Sequence, residues 1–161
     1  MAFDAFLKID GVQGESTDAK HKDEIQVLSF SFGVSQAGGA PTGGGGGAGK
    51  ASLTDLHFVA RTQKSSPRLF VACAAGEHFK NAVLTLRKAG GKQQDYLTLT
   101  LREVRVTSFQ ESGAAEGDDV PVDQIALGYG KIEIEYRPQD PKGALGPPVK
   151  GGWDLKANKK V

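Results

Sequence analysis

The chain has 161 residues and a mass of 17.0 kDa, enough to bury one core without disulfides or metals. Its 20 Lys and Arg balance 19 Asp and Glu, so no field of one sign is available to gather phosphates or anionic lipid, and neither nucleic acid nor membrane is an expected partner. Cys73 is the sole cysteine, which excludes an intrachain disulfide framework and thiol-pair redox chemistry.

At the start of the chain, Asp4 and Lys8 fall where a secretory signal needs a basic opening and then an unbroken apolar stretch. A cleaved signal is not expected, so export would need another route. Residues 5–9 read as a strand. Residues 25–36 carry the clearest periodicity: Leu28, Phe30, Phe32 and Val34 alternate with Ser29, Ser31, Gly33 and Ser35, a period-2 strand with one apolar face and one face of small residues. Residues 37–49, dominated by glycine, read as a loop too costly in entropy to order by itself.

A strand is expected over residues 52–60. Ser66 before Pro67 reads as an N-cap followed by proline at the first helical position, with Gly76 as the stop. A helix over residues 67–75 follows, with Leu69, Phe70 and Cys73 on the side that packs against the sheet. Residues 69–75 are also the longest purely apolar run, far short of the roughly 20 residues that cross a bilayer. A strand over residues 82–88 joins the next through Gly90-Gly91, a hairpin signal. From Leu97 the apolar positions run Leu97, Leu99, Leu101, then shift to Val104 and Val106, as a bulge would produce. Ile125 and Leu127 give way similarly to Ile132, Ile134 and Tyr136, with Gly128 and Gly130 at the change. Bends of this kind favour a curved, antiparallel, barrel- or sandwich-like sheet, so the expected fold is mainly β with one flanking helix. The whole chain, 1–161, reads as one unit, with a small acidic loop over 111–119 and a Pro/Gly-rich segment from 138 towards the end.

Chemistry is thinly signalled. Gly44, Gly49 and Lys50 match the opening of a phosphate-binding loop, but Ala51 stands where the magnesium-ligating Ser or Thr belongs, and a strand follows where a helix is needed. A nucleotide site there is a remote alternative. His21, His57 and His78 lack partners at zinc-site spacing; His21, in a run of charged residues, reads as a solvated loop histidine, and His57 and His78 as surface positions. No serine sits in a nucleophile elbow, and Cys73 on the buried helix face reads as packing. Asp118 and Asp119 read as hydrated loop carboxylates. No enzyme, metal or cofactor is expected, and patterned strands with small-residue faces suit recognition or assembly.

Gly14-Glu15-Ser16, His21, Glu24-Ile25-Gln26-Val27-Leu28, Phe30, Phe32 and Gly33-Val34-Ser35-Gln36 together resemble the opening of the Hcp (haemolysin-coregulated protein) family, the tube subunits of bacterial type VI secretion systems. The likeness continues through the glycine run to Lys50, Lys64-Ser65-Ser66-Pro67, Leu86-Arg87-Lys88-Ala89-Gly90-Gly91 and Gly152-Trp153-Asp154-Leu155. Many relatives carry tryptophan where this chain has Phe30 and Phe32.

The resemblance implies a β-barrel subunit assembling into homo-hexameric rings. Rings stack into a tube expelled by a contractile sheath and tipped by a spike protein, with effector proteins carried in the lumen. It implies synthesis in the cytoplasm and export by type VI secretion, and no catalytic residues. The chain ends soon after Trp153, so a plain tube subunit is expected, not a toxin fusion. On this reading Ser29, Ser31 and Ser35 are candidates for the lumen wall or subunit interface. Gly43, Gly44, Gly45, Gly46 and Gly47, with Asp118 and Asp119 against Lys159 and Lys160, are candidates for contacts between rings. The alternative is a monomeric secreted binding module or effector on the same scaffold.

Overall fold

The computed structural model describes residues 3–36, 50–88, 93–117 and 119–161. Along them run β1 (Phe3–Ile9), β2 (Ile25–Ser31), β3 (Val34–Gln36), β4 (Ala51–Leu53), β5 (Leu56–Arg61), α1 (Ser65–Ala75), β6 (His78–Lys88), β7 (Asp95–Ser112), β8 (Val122–Gly128), β9 (Lys131–Tyr136), β10 (Val149–Asp154) and β11 (Lys159–Lys160). Strands β7, β6, β1, β2, β5 and β8 are antiparallel neighbours in that order, and a further pairing of β8 with β7 closes them into a six-stranded barrel. Closure leaves none of the six with a free edge around the ring. The expected Gly90-Gly91 turn and the glycine run lie outside the described residues.

Strand β7 belongs to two structures. Its first half pairs with β9 from Leu97 to Arg102; its second pairs with β8 from Arg105 to Ser112. The exchange falls at Glu103, whose φ of 54° is left-handed. That residue produces the apolar shift legible in the sequence: Leu99 and Leu101 before it and Val104 and Val106 after it are all buried. Pairing with β6 stays in register across this point, Asn81 opposite Arg102 and Phe79 opposite Val104, while the register shift against β8 comes later, between Val106 and Ser108. Beyond β9, β10 and β11 continue the sheet as an arm. The Pro/Gly-rich segment thus ends in strand, and Trp153 of β10 packs, half-buried, against the core.

Strand β2 differs from the sequence expectation. Ile25 and Val27 are buried, but a register shift against β5 between Val27 and Ser29 reverses the faces, leaving Leu28 50% and Val34 68% exposed. Only Phe30 and Phe32 of the expected apolar face pack against the core. The chain then leaves the barrel, and β3 pairs with β4 as a separate two-stranded ribbon. The run over 52–60 is likewise split at Thr54, whose Oγ1 accepts the Gly33 N–H at 2.7 Å.

Helix α1 starts two residues before Pro67 and stops at Gly76, which takes φ 66° while the Glu77 N–H donates to Ala72 O at 3.0 Å. Its N-cap is Lys64, with no capping side chain of its own. Instead the Glu15 carboxylate, from the β1–β2 connection, accepts the Lys64 N–H at 3.2 Å. Ser66 is not the cap. Its Oγ accepts the Gln63 N–H at 2.9 Å and donates to buried Asp123. Leu69 and Ala72 are fully buried and Cys73 half-buried, but Phe70 is 59% exposed, edge-on to Phe109 at 5.8 Å. The barrel interior is filled by Leu7, Ile9, Ile25, Phe58, Leu84 and Leu127, each worth about 1.5–3 kcal/mol on burial.

Candidate functional surfaces

Residues 29–31 of β2 open onto the outside of the barrel. Across four strands one row reads Ser31, His57, Ala126, Ser108, and the next reads Ser29, Val59, Gln124, Gln110. These rows line a shallow concavity of about 470 Å³ in which no Asp, Glu, Lys or Arg takes part. In a chain where 24% of residues are charged, a two-row patch across four strands lacking them is a surface of hydroxyls, amides and small apolar groups. Such a face presents few strong attachment points to anything sliding past. His57 is exposed there, as its surface reading required. Ser35 is not part of it: it lies on the β3–β4 ribbon opposite Ser52. Gln110 and Gln124 were not singled out from sequence; their alternation with Phe109 and Ile125 was the available signal.

His21 is a correction. It is not a solvated loop residue but 6% exposed, because the chain folds back so that its ring meets carboxylates on two sides. Nδ1 lies 3.1 and 3.0 Å from the two Glu24 oxygens, and Nε2 lies 3.2 Å from Asp95 Oδ1. Both nitrogens can donate at once only in the protonated ring. Beside it, buried Arg87 places Nη1 2.8 Å from Asp18 Oδ2 and Nη2 3.4 Å from Asp4 Oδ2. The Nη1 contact acts as an ion pair, its N–H being out of line for a hydrogen bond. Burial pushes the Arg87 guanidinium towards losing its proton, and the Asp18 and Asp4 carboxylates more than offset this and raise it. The same guanidinium holds the Asp18 carboxyl below the usual carboxylate range. The residues of this network span β1, the β1–β2 connection, β6 and β7, which makes it a clasp, not a reactive centre.

The remaining candidates are dispersed. Lys50 is exposed and followed by strand β4, so the helix a nucleotide loop requires is replaced by strand. Asp119, Lys159 and Lys160 are exposed; Asp118 and Gly43 to Gly47 lie outside the described residues. Among the described residues, no group of three or more His, Cys, Asp or Glu is placed to hold a metal, and no helix is long and apolar enough to cross a membrane.

A closed barrel with a flanking helix, a sheet arm and a charge-free outer wall defines a scaffold whose working parts are surfaces. The family described as "Type VI secretion system effector, Hcp" matches residues 6–136. Over 160 residues, 98% of both chains, the sequence is 46% identical to Protein hcp1 of Pseudomonas aeruginosa. Among solved structures, Hcp1 from Salmonella typhimurium aligns over 100% of both chains with 36% identity and a TM-score of 0.83. A structure described as a type six secretion system protein aligns over 99% of this chain and 100% of its own, with 35% identity and a TM-score of 0.94. The chain belongs to the Hcp family. Hcp proteins are secreted structural tube proteins of the type VI secretion system, not enzymes.

Proposed function

We propose that this protein forms hexameric rings that stack into the inner tube of a type VI secretion system. A contractile sheath expels that tube behind a spike, and effector proteins travel in its lumen. The expelled tube carries the subunit out of the cell. The observation that carries this reading is the charge-free wall of Ser29, Ser31, Ser108, Gln110 and Gln124. Turned inward in a ring, it gives a lumen lined by short polar groups, able to hold a cargo through many weak contacts and release it. Ring-to-ring contacts run through the glycine segment containing Gly43 to Gly47 and through the acidic loop with Asp118 and Asp119 against the basic end with Lys159 and Lys160.

The test is the solution mass of the purified protein by light scattering, with electron microscopy of the same sample, for the native chain and for Ser31→Arg. Rings of six with a central hole are expected, with cargo retention reduced on the order of tenfold in the variant by six added charges in the lumen. A monomer at all concentrations overturns the assembly reading in favour of a binding module; unchanged rings and cargo in the variant remove Ser31 from the wall.

A further inference from the structure

Helix α1 buries one side against the barrel and leaves the other bare. Leu69, Ala72 and Cys73 pack inward. Pro67, Phe70, Val71 and Ala74 are exposed, Phe70 by 59% and Val71 by 52%. At helical spacing these four fall side by side, and the Phe70 ring carries the stripe onto β7 through its edge contact with Phe109. An exposed Phe and Val in one contiguous stripe add little to the core, and apolar surface of this kind marks a contact. Lys64 and Arg68, four residues apart, run along one border of the stripe.

That border is one wall of a groove of about 590 Å³, which lies between the end of β1, the β1–β2 connection and the first turn of α1. Its charges are unbalanced. Lys8, Lys22 and Lys64 are exposed there, and among the described residues none of the three has a carboxylate within ion-pair distance. The acids around them are engaged elsewhere. Glu24 faces His21, Asp10 accepts from the Asn81 amide at 3.3 Å, and Glu15 accepts the Lys64 N–H. Arg68 is held 2.6 Å from Glu77 and lies over the Phe79 ring. The Asp23 carboxylate alone is left in the groove to face three ammonium groups.

We propose that α1 and this groove dock an acidic amphipathic segment of a different protein, its apolar side on Phe70 and Val71 and its carboxylates against Lys8, Lys22 and Lys64. A helix offers no sheet edge to extend, so a partner gains affinity here from side-chain anchors and opposite charge, as an amphipathic helix does in a groove. A second copy does not supply that chemistry. Its exposed Phe3 and Tyr136 stand beside Asp4 and Glu135, but those acids already face Arg87 and Arg137. Residues 111–117 carry Glu111 and Glu116 without a large apolar residue. The docking surface shares no residue with the serine and glutamine wall, so it needs neither rings nor cargo.

The test uses the full chain and two synthetic helical peptides, each with leucines along one side and with either glutamates or lysines on the other. Binding is read by fluorescence polarisation and mapped by hydrogen exchange. The glutamate peptide is expected to bind, more weakly as salt rises, to protect α1, and to bind on the order of tenfold more tightly than the lysine peptide. Phe70→Ser, and Lys22→Glu combined with Lys64→Glu, are each expected to weaken it on the order of tenfold. All three positions are exposed, so native-like melting is expected, and the charge-reversed pair should prefer the lysine peptide. Failure of the glutamate peptide to bind, equal binding of the two peptides, protection centred away from α1, or binding indifferent to both variants overturns the proposal. A Phe70→Ser chain that changes oligomeric mass but not peptide affinity also overturns it, and assigns the stripe to contact between copies.

Discussion

The imidazole of His21 lies flat on the ring of Phe6, centroids 4.5 Å apart and planes within 6°, and the Arg87 guanidinium carbon is 4.9 Å from the centre of the same ring. Phe6 is 2% exposed, so the imidazole of His21 and the guanidinium of Arg87 meet one buried aromatic ring while carboxylates hold their outer atoms. The β1–β2 connection is fastened to the barrel there. His21→Ala removes the stack and leaves Glu24 without its partner, and is expected to lower stability by about 2–4 kcal/mol, read from the urea midpoint. A change under a quarter of that would show that the connection is held by its backbone bonds alone.

Acid should loosen the same clasp. Asp18, beside Arg87, has its folded carboxyl below the ordinary value of 3.8. A depressed carboxyl contributes stability that is present above the unfolded value and is lost as pH falls through the lowered folded one. Asp18→Asn is therefore expected to melt at lower temperature than the native protein at neutral pH and to converge with it once the pH falls below that lowered value. Parallel melting curves from pH 7 to pH 2 would remove Asp18 from the acid response.

Gly14 is fixed by proximity. Its N–H donates to Asp23 O at 2.8 Å, and a Cβ there would stand 2.5 Å from Glu24 O and 2.7 Å from Ile25 N. Those neighbours are backbone atoms at the entry to β2 and cannot turn aside. Gly14→Ala should cost about 2–4 kcal/mol in thermal denaturation and displace Glu15 from the Lys64 N–H. A variant as stable as the native chain would mean that the connection shifts freely.

Deleting Gly43 to Gly47 bears on assembly alone, since β3 and β4 pair with each other and not with the barrel. Native-like melting and intact rings are expected, with stacking reduced. Tubes of normal length from the deletion would take the glycine segment out of the ring-to-ring contact.

The barrel was legible because period-2 patterns and their phase changes are local properties. Glu103 and Gly130 mark the places where β7 changes partners and β8 gives way to β9, and each disturbed the apolar alternation visibly. Faces were less legible. One register shift at Leu28 sent half of an apparent apolar stripe to the surface, and Phe70 keeps helical i,i+3 spacing with Cys73 yet points outward. The serine wall was visible on β2 only, since its other half comes from Ser108, Gln110 and Gln124, far along the chain and brought alongside by closure. The His21 clasp was illegible because its carboxylate partners are split between a near neighbour and Asp95, and a charged run reads as solvated until the fold supplies its second side. The Gly14-Glu15-Ser16 motif, met first as a likeness, has a local cause: a close approach, a remote helix cap and a buried hydroxyl residue.

Strand β7, with 18 residues, is shared by barrel and arm without a hinge. A pull along its axis loads the hydrogen bonds to β6, β8 and β9 in shear, because in antiparallel ladders they lie across the strands. Many bonds must then yield together, whereas a pull at right angles would unzip them in turn. A subunit built around such a beam resists thrust along one direction far better than across it.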